Sequence, residues 1–276
     1  MVMGDICVKG DPFAGSQRDM QSSLYLAHHN LASLCSAVSL ANRVFDSESI
    51  GHKHTIGLAI GAAVGVFNGY LVAFVGIPSF IVTLGGLTLW RGLAFESTGG
   101  FDNSGMPDPL PFLGYGELLG IPMPILITAV FFIVMAFILS STKLGRYVYA
   151  MGSNEMGARQ VGINIRWYKL AVYVVCGLSC AMGAILLMAR MDSSSGKMAQ
   201  MFELDAIAAV ILGGTSLFGG RGSIWGSLFG AVLITMIRNG MNLMEISQFR
   251  QMMAIGAVVI LAVWIDVIRR QRLLKK

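Results

Sequence analysis

The chain has 276 residues, of which 55% are hydrophobic and only 13% charged, and its mean hydropathy is +0.68. A soluble domain carries about 25% charged residues. A disordered chain is therefore excluded, a soluble globule lacks the polar surface it would need, and the composition is that of a polytopic membrane protein. The formal net charge is +5, and the positions of the charges say more than their sum.

The first 54 residues hold Lys9, Arg18, Arg43 and Lys53 with five acids and no apolar run long enough to cross a membrane. Residues 24–45 suit a weak amphipathic helix. No basic stretch followed by an apolar core marks a signal peptide. His28, His29, His52 and His54 stand here without cysteine or carboxylate context, so a solvated loop is expected rather than a metal site. The segment reads as atypical, non-native or disordered, and the membrane domain as 55–276.

Charge-free runs then mark the crossings. Thr55 to Trp90 carries no charge and is too long for one helix of about 20 residues. Gly76-Ile77-Pro78 breaks it into spans at about 55–75 and 78–95. Further spans are expected near 121–140, 168–189, 204–220, 223–241 and 251–268. The fold class is all-α: a polytopic transmembrane helix bundle of about seven crossings, one of them short and broken. Gly57, Gly61, Gly65 and Gly69 recur every four residues, as do Gly222, Gly226 and Gly230. Each set makes a flat helix face that a neighbouring backbone can approach closely. Cys176 and Cys180 share one helix face and read as small packing residues.

Lysine and arginine set the orientation. The loop 142–169 holds Lys143, Arg146, Arg159, Arg166 and Lys169, and the tail holds Arg269, Arg270, Arg272, Lys275 and Lys276. Both are expected in the cytoplasm. The loop 96–120 holds only acids, Glu96, Asp102, Asp108 and Glu117, and should face outward. Residues 169 and 269 then lie on one side, so an even number of crossings must separate them. The stretch 204–220 must cross too, although about 15 helical residues reach only ~22 Å against a ~30 Å core. A short span that ends in Gly213-Gly214 is how a broken helix at a transport site reads in sequence; a tilted span or a locally thinned bilayer is the alternative.

Two stretches could carry the working parts. In the inner loop, Asn154 suits a helix N-cap, Glu155 the positive first turn and Gly162 the stop. Glu155 and Arg159 are placed to pair at i,i+4. So short a helix is marginal alone and needs something to dock on; a plain connector or an interfacial helix would read the same way. In the short span, Glu203 and Asp205 stand at the outer mouth, Gly213, Gly214 and Thr215 at the break, and Arg221 in the glycine turn at the inner end. They are candidates for a pathway or gate; Glu203 and Asp205 also serve simply as helix N-terminal charges. Arg91, in an apolar stretch, snorkels, pairs with Glu96 or meets another helix. There is no Walker A, G-x-S-x-G or H-E-x-x-H pattern, so no catalytic residue, metal site or cofactor is expected.

The run Glu203 to Gly222 resembles the signature of permease subunits of ribose/xylose/galactose-type ABC importers. Similar to the same family are Gly145-Arg-Tyr with Gly152 to Asn164, Pro78-Ser-Phe-Ile-Val-Thr-Leu-Gly85 and Asn239-Gly-Met-Asn242. The similarity runs from about Leu58 to the end. It implies a monosaccharide permease of a bacterial cytoplasmic (inner) membrane, working by alternating access, with its C-terminus in the cytoplasm. The implied partners are an ATP-binding-cassette ATPase subunit, a periplasmic or lipid-anchored sugar-binding protein, a second permease copy and membrane lipid, with no nucleic acid. The loop helix resembles the coupling helix that sits in the ATPase, at Gly152, Asn154, Glu155, Ala158, Arg159 and Gly162. The family more often has Ala at Met156 and Gly157, and Gly157 should loosen the helix by up to ~1 kcal/mol. Members usually begin with about three more crossings, so residues 1–54 are expected to be foreign to the family in a truncated or frame-shifted product. Upstream DNA without family-like helices in any frame would end that idea. Two other classes remain: an ion-coupled secondary transporter, which should show intramembrane acid or histidine relays, and an inactive fragment.

Overall fold

The computed structural model describes residues 53–101, 103–104, 110–118, 120–195, 197–200, 202–215, 220 and 222–274. The expectations for residues 1–52 and for Arg221 lie outside the described residues.

Among the described residues the long helices fall on the predicted spans. They are α1 (Lys53–Tyr70), α2 (Ser79–Thr98), α4 (Met123–Ser141), α7 (Ile165–Met191), α9 (Ile224–Leu243) and α10 (Gln248–Leu274). The short helices are α3 (Leu110–Tyr115), α5 (Lys143–Ser153), α6 (Glu155–Gln160) and α8 (Phe202–Leu212). Among the described residues, five helical segments are long and apolar enough to cross a membrane: Thr55–Val75, Met123–Ser141, Ile165–Met191, Ile224–Leu243 and Gln248–Ile265. The protein is an all-α, polytopic bundle.

The break after α1 has the expected cause. The helix widens into a π turn over Leu71–Val75, Gly76 adopts φ +83°, and the N–H of Ile77 still reaches Leu71 O at 3.2 Å. Proline at 78 then fixes the entry to α2. Glycine is required at 76 because only it enters the left-handed region freely.

Small residues set the packing. The Gly61, Gly65, Gly69 face of α1 lies on α7. A Cβ at Gly65 would stand 2.6 Å from Tyr173 O, and one at Gly69 would stand 2.9 Å from Tyr173 Cβ. With no water to expel between apolar helices in lipid, close backbone approach supplies the attraction instead. Along this seam Ala181, Ala184, Ile185, Met188 and Ala189 form a buried core. The second glycine face does the same for α9. A Cβ at Gly230 would overlap Ala209 O, and one at Gly226 would overlap Gly213 O. On its other side α8 packs on α10 through Ile211 and Ala262. In contrast, α4 has no buried residue and presents apolar side chains outward.

The two ends of the bundle are fixed by different contacts. At one end β1 (Asn103–Ser104) pairs antiparallel with β4 (Ser193–Ser194), and the Tyr115 hydroxyl donates to Arg190 O at 2.5 Å. A ribbon of β2 (Glu117–Leu118) and β3 (Ile121–Pro122) follows α3. At the other end α5 meets the turn between α8 and α9. The chain therefore passes from one end to the other between Ser194 and Gly220, as the parity of the charged loops requires. The crossing segment differs from its sequence expectation in length. Helix α8 has 11 residues, about 16 Å at 1.5 Å per residue, so it reaches only half-way before Gly213 and Gly214 turn the chain, the latter with φ +82°.

Candidate functional site: the loop helices and the interrupted span

The sequence pattern predicts one short helix in the inner loop, between Asn154 and Gly162. The structure puts two helices there. The first, α5, is capped by Thr142, whose hydroxyl oxygen accepts from Gly145 N at 3.5 Å. Its Leu144, Tyr147, Val148 and Met151 recur at helical spacing, and Val148 and Met151 pack with Ala158 of α6 and Ile165 of α7 in one buried cluster. That spacing was visible in the sequence and is the signal that finds α5.

Helix α6 is built as its residues dictate. Asn154 Oδ1 accepts from Gly157 N at 2.9 Å, which satisfies one of the free donors of the first turn. At the other end Gly162 has φ +83°, and Ile163 N reaches back to Ala158 O at 3.1 Å, a glycine-terminated helix stop. A Cβ on Gly157 would lie 3.2 Å from Asn154 Cγ and Nδ2, so alanine there would press on the capping side chain.

Glu155 is the buried anchor of this module. It is 2% exposed, and three nitrogen–oxygen contacts surround it: Arg159 at 3.0 Å and Lys169 at 3.4 and 3.3 Å to its two oxygens. The Arg159 side chain is 67% exposed and that of Lys169 only 12%. The i,i+4 pair is present as the spacing requires. The Lys169 contact, which ties α6 to α7, was not read from the sequence because nothing in spacing alone folds residue 169 back onto residue 155. With Glu155 turned inward, the outer surface of α6 is made by Met156, Arg159, Gln160 and the highly exposed Val161.

The two stretches singled out in the sequence meet in space. A Cβ on Gly152 would stand 3.1 Å from Gly220 N, and one on Gly220 would stand 2.9 Å from Ser153 Cβ. The Tyr149 hydroxyl donates to Gly222 O at 3.1 Å. Burial raises its pKa above the usual tyrosine value, so the phenol remains a donor across the physiological range. Thr215 and Ser227 lie 3.4 Å apart, hydroxyl to hydroxyl, across the same turn. Helix α5 thus touches the turn that ends the interrupted span.

At the opposite end of α8, Asp205 pairs with Arg238 of α9 at 2.5 Å, and the Arg238 guanidinium also lies 5.6 Å from the centre of the Phe202 ring. Glu203 stays beside this pair with a buried oxygen that has no partner among the described residues. The carboxylates do sit in the first turn of α8, and Asp205 adds an inter-helix tie that the N-terminal-charge reading did not contain. Arg238 was missed, although an arginine within an apolar helix calls for a counter-charge. Near it, Asn242 accepts from Gln251 Nε2 at 2.7 Å, which joins the end of α9 to the start of α10.

A second polar cluster lies between α1 and α2. Asn68, Ser79 and Thr83 are fully buried. Both side-chain amide atoms of Asn68, Nε1 of Trp90 and two guanidinium nitrogens of Arg91 are buried with no hydrogen-bond partner among the described residues. The Asn68 amide atoms and Trp90 Nε1 all lie within 4 Å of the position a Cβ on Gly86 would take. Arg91 therefore does not pair with Glu96. No group of three or more metal-ligating residues occurs among the described residues, and the Cys176 and Cys180 sulfurs lie 3.9 Å apart on one face of α7.

Interrupted spans among apolar helices recur at the binding sites of transporters. The chain belongs to the family described as branched-chain amino acid transport system / permease component, whose model matches residues 26–263. Among its relatives, the ribose import permease protein RbsC of Escherichia coli K12 is 41% identical over 213 residues, 76% of this chain and 66% of that protein. The xylose transport system permease protein XylH of Haemophilus influenzae is 30% identical over 277 residues, 78% of this chain and 74% of that protein. The D-allose transport system permease protein AlsC of Escherichia coli K12 is 31% identical over 212 residues, 76% and 64% of the two chains. The chain spans about two thirds of the length of the ribose permeases it matches. No solved structure matches it significantly.

Proposed function

We propose that this chain is the permease subunit of an ATP-binding-cassette importer that moves a monosaccharide across the bacterial cytoplasmic membrane by alternating access. The observation that carries the reading is the contact of Gly152, Ser153 and Tyr149 with Gly220 and Gly222. It joins α5, which packs against α6 in one buried cluster, to the turn that ends the interrupted span. Relatives named for ribose, xylose and D-allose transport support the substrate class.

In this reading α6 is the docking helix for an ATPase subunit, and Met156, Arg159, Gln160 and Val161 are its contact surface. Glu155 holds that helix to α7 from behind. A rigid module of α5 and α6 carries the movement of the ATPase to the turn after α8, where Gly213, Gly214 and Thr215 form the hinge of the gate. Glu203, Asp205 and Arg238 hold the far end of α8 to α9. Asn68 and Trp90 offer unpartnered donors and an acceptor to a hydroxyl-rich solute, because a buried amide without a partner gains a hydrogen bond from such a ligand. A sugar-binding protein on the outer side and a second permease copy complete the machine, and the basic loop and tail lie in the cytoplasm.

Cross-linking tests the docking surface. Val161→Cys should form an ATP-sensitive cross-link to the ATPase subunit in membranes, and Gly120→Cys, placed at the other end of the bundle, should form none. Equal labelling at both positions would remove α6 from the interface.

A further inference from the structure

Where α1 ends and α7 begins, two adjoining cavities of about 390 and 330 Å³ open at the edge of the bundle. The π turn forms one wall, through Phe74 and Gly76. Asn164, Arg166 and Trp167 at the start of α7 form another, and the Glu155, Arg159 and Lys169 cluster closes the back. Three cations thus face one carboxylate, a local excess of two positive charges. Glu155 is already engaged by Lys169 and Arg159. Arg166 has no carboxylate within ion-pair distance among the described residues, so its guanidinium is available to an anion.

The height of the cavities identifies the anion. The apolar segments Thr55–Val75 and Ile165–Met191 end at this level. Trp167 is 60% exposed, and its ring meets Phe74 edge-on at 5.5 Å. Aromatic rings concentrate at this depth of a membrane because one side of the ring is apolar and the other wet. Val75 beside them is also exposed, which leaves an apolar track for an acyl chain below the charged head. Arginine forks match phosphate oxygens two at a time, and basic pockets between spanning helices at the cytoplasmic face suit anionic lipid heads.

We propose that these cavities bind the phosphate of an anionic phospholipid, with Arg166 as the principal ligand and Arg159 and Lys169 as supporting cations. Because Arg159 and Lys169 also hold Glu155, a lipid seated here braces the π turn of α1 against the loop helices. The site rests on the membrane placement of that reading and shares Arg159 with its docking surface, but its test needs no transport.

The full chain is reconstituted with Trp90→Phe, Trp225→Phe and Trp264→Phe, so that Trp167 alone reports. Vesicles of phosphatidylcholine contain about 10 mol% of brominated phosphatidylglycerol, a quencher of tryptophan that senses anionic lipid next to the ring. Quenching at least about threefold above that from the same fraction of brominated phosphatidylcholine is expected. Arg166→Gln should bring it down to the phosphatidylcholine level, and Arg166→Lys should keep most of it. Vesicles made wholly of brominated phosphatidylcholine should quench every variant alike, which reports correct insertion. Equal quenching by the two brominated lipids would overturn the proposal. So would an Arg166→Gln variant that keeps the preference, or millimolar inorganic phosphate that abolishes it, because a soluble anion would then be the ligand.

Discussion

Removing the carboxylate of Glu155 should unfasten α6 without touching its outer surface. The side chain is 2% exposed and neutralises Lys169, whose side chain is 12% exposed. Deleting one partner of a buried ion pair leaves the other charge uncompensated and costs about 3–5 kcal/mol. The Arg159 partner is 67% exposed, so its own loss should cost under about 1 kcal/mol. Glu155→Ala is therefore expected to weaken the docking of α6 on α7 by about 3 kcal/mol, the lower end of the range because Lys169 reaches some water. Hydrogen exchange of amides 157–163 reads this directly. A loss of that size accelerates exchange by roughly a hundredfold where exchange follows local opening. Arg159→Ala should change it by less than about fivefold. Glu155→Gln with Lys169→Met, which removes both charges, should recover most of the protection, since a buried pair replaced by similar-sized uncharged groups is close to neutral. If Glu155→Ala exchanges no faster than Arg159→Ala, the anchoring role is wrong. The same geometry changes what a charge reversal means. Glu155→Arg would set a cation against Lys169 and loosen the module, whereas Arg159→Glu alters the exposed face and leaves the fold intact.

Other expectations rest on single contacts. Gly230→Leu should abolish the protease-resistant folded form, because any Cβ there overlaps Ala209 O, whereas Gly240→Ala on the same helix, with open space around it, should be tolerated; equal behaviour would refute the α8–α9 seam. Asp205→Ala and Arg238→Ala should each lower the unfolding midpoint in detergent, and a double-mutant cycle should give a coupling of at least about 1 kcal/mol; a coupling near zero would show that the pair does not tie α8 to α9. Asn68→Leu removes two buried atoms without partners, so it should leave the midpoint unchanged or higher while impairing sugar uptake; uptake at the wild-type rate would remove Asn68 from the pathway. The raised pKa of Tyr149 keeps its stabilising bond present below the usual tyrosine range and lost as pH rises through the higher folded value. The stability difference between wild type and Tyr149→Phe should therefore be flat from pH 6 to 9 and shrink only above about pH 10.

Sequence read the spans well because their signals are local. A charge-free run, a Gly-Ile-Pro break and an i,i+4 glycine row each act within a few turns of helix, and all three stand in the structure where spacing put them. The caps of α6 were legible for the same reason: Asn154 and Gly162 work on backbone atoms three to five residues away. Helix α5 is legible only in part: its apolar residues recur at helical spacing, but their partners Ala158 and Ile165 lie on other helices. Arg238 with Asp205, Lys169 with Glu155, and Tyr149 with Gly222 are different. Each joins residues on separate elements, and no local pattern states which helices will be neighbours. The same holds for the polar cluster at Asn68, whose lack of partners exists only once α1 and α2 are packed. The interrupted span was inferred from parity and glycine content, but its length was overestimated, since Gly213 turns the chain earlier than the apolar run ends.

ATP-driven sugar uptake is the decisive measurement. Vesicles containing this chain with the ATPase and sugar-binding subunits of the proposed importer should accumulate a labelled pentose or hexose only when ATP is supplied on the side of the basic loop. Arg159→Glu should reduce that uptake at least about tenfold while hydrogen exchange of α6 rises far less than in Glu155→Ala. Uptake driven by an ion gradient without ATP, or ATP-driven uptake unaltered in Arg159→Glu, would contradict a permease worked through its loop helices.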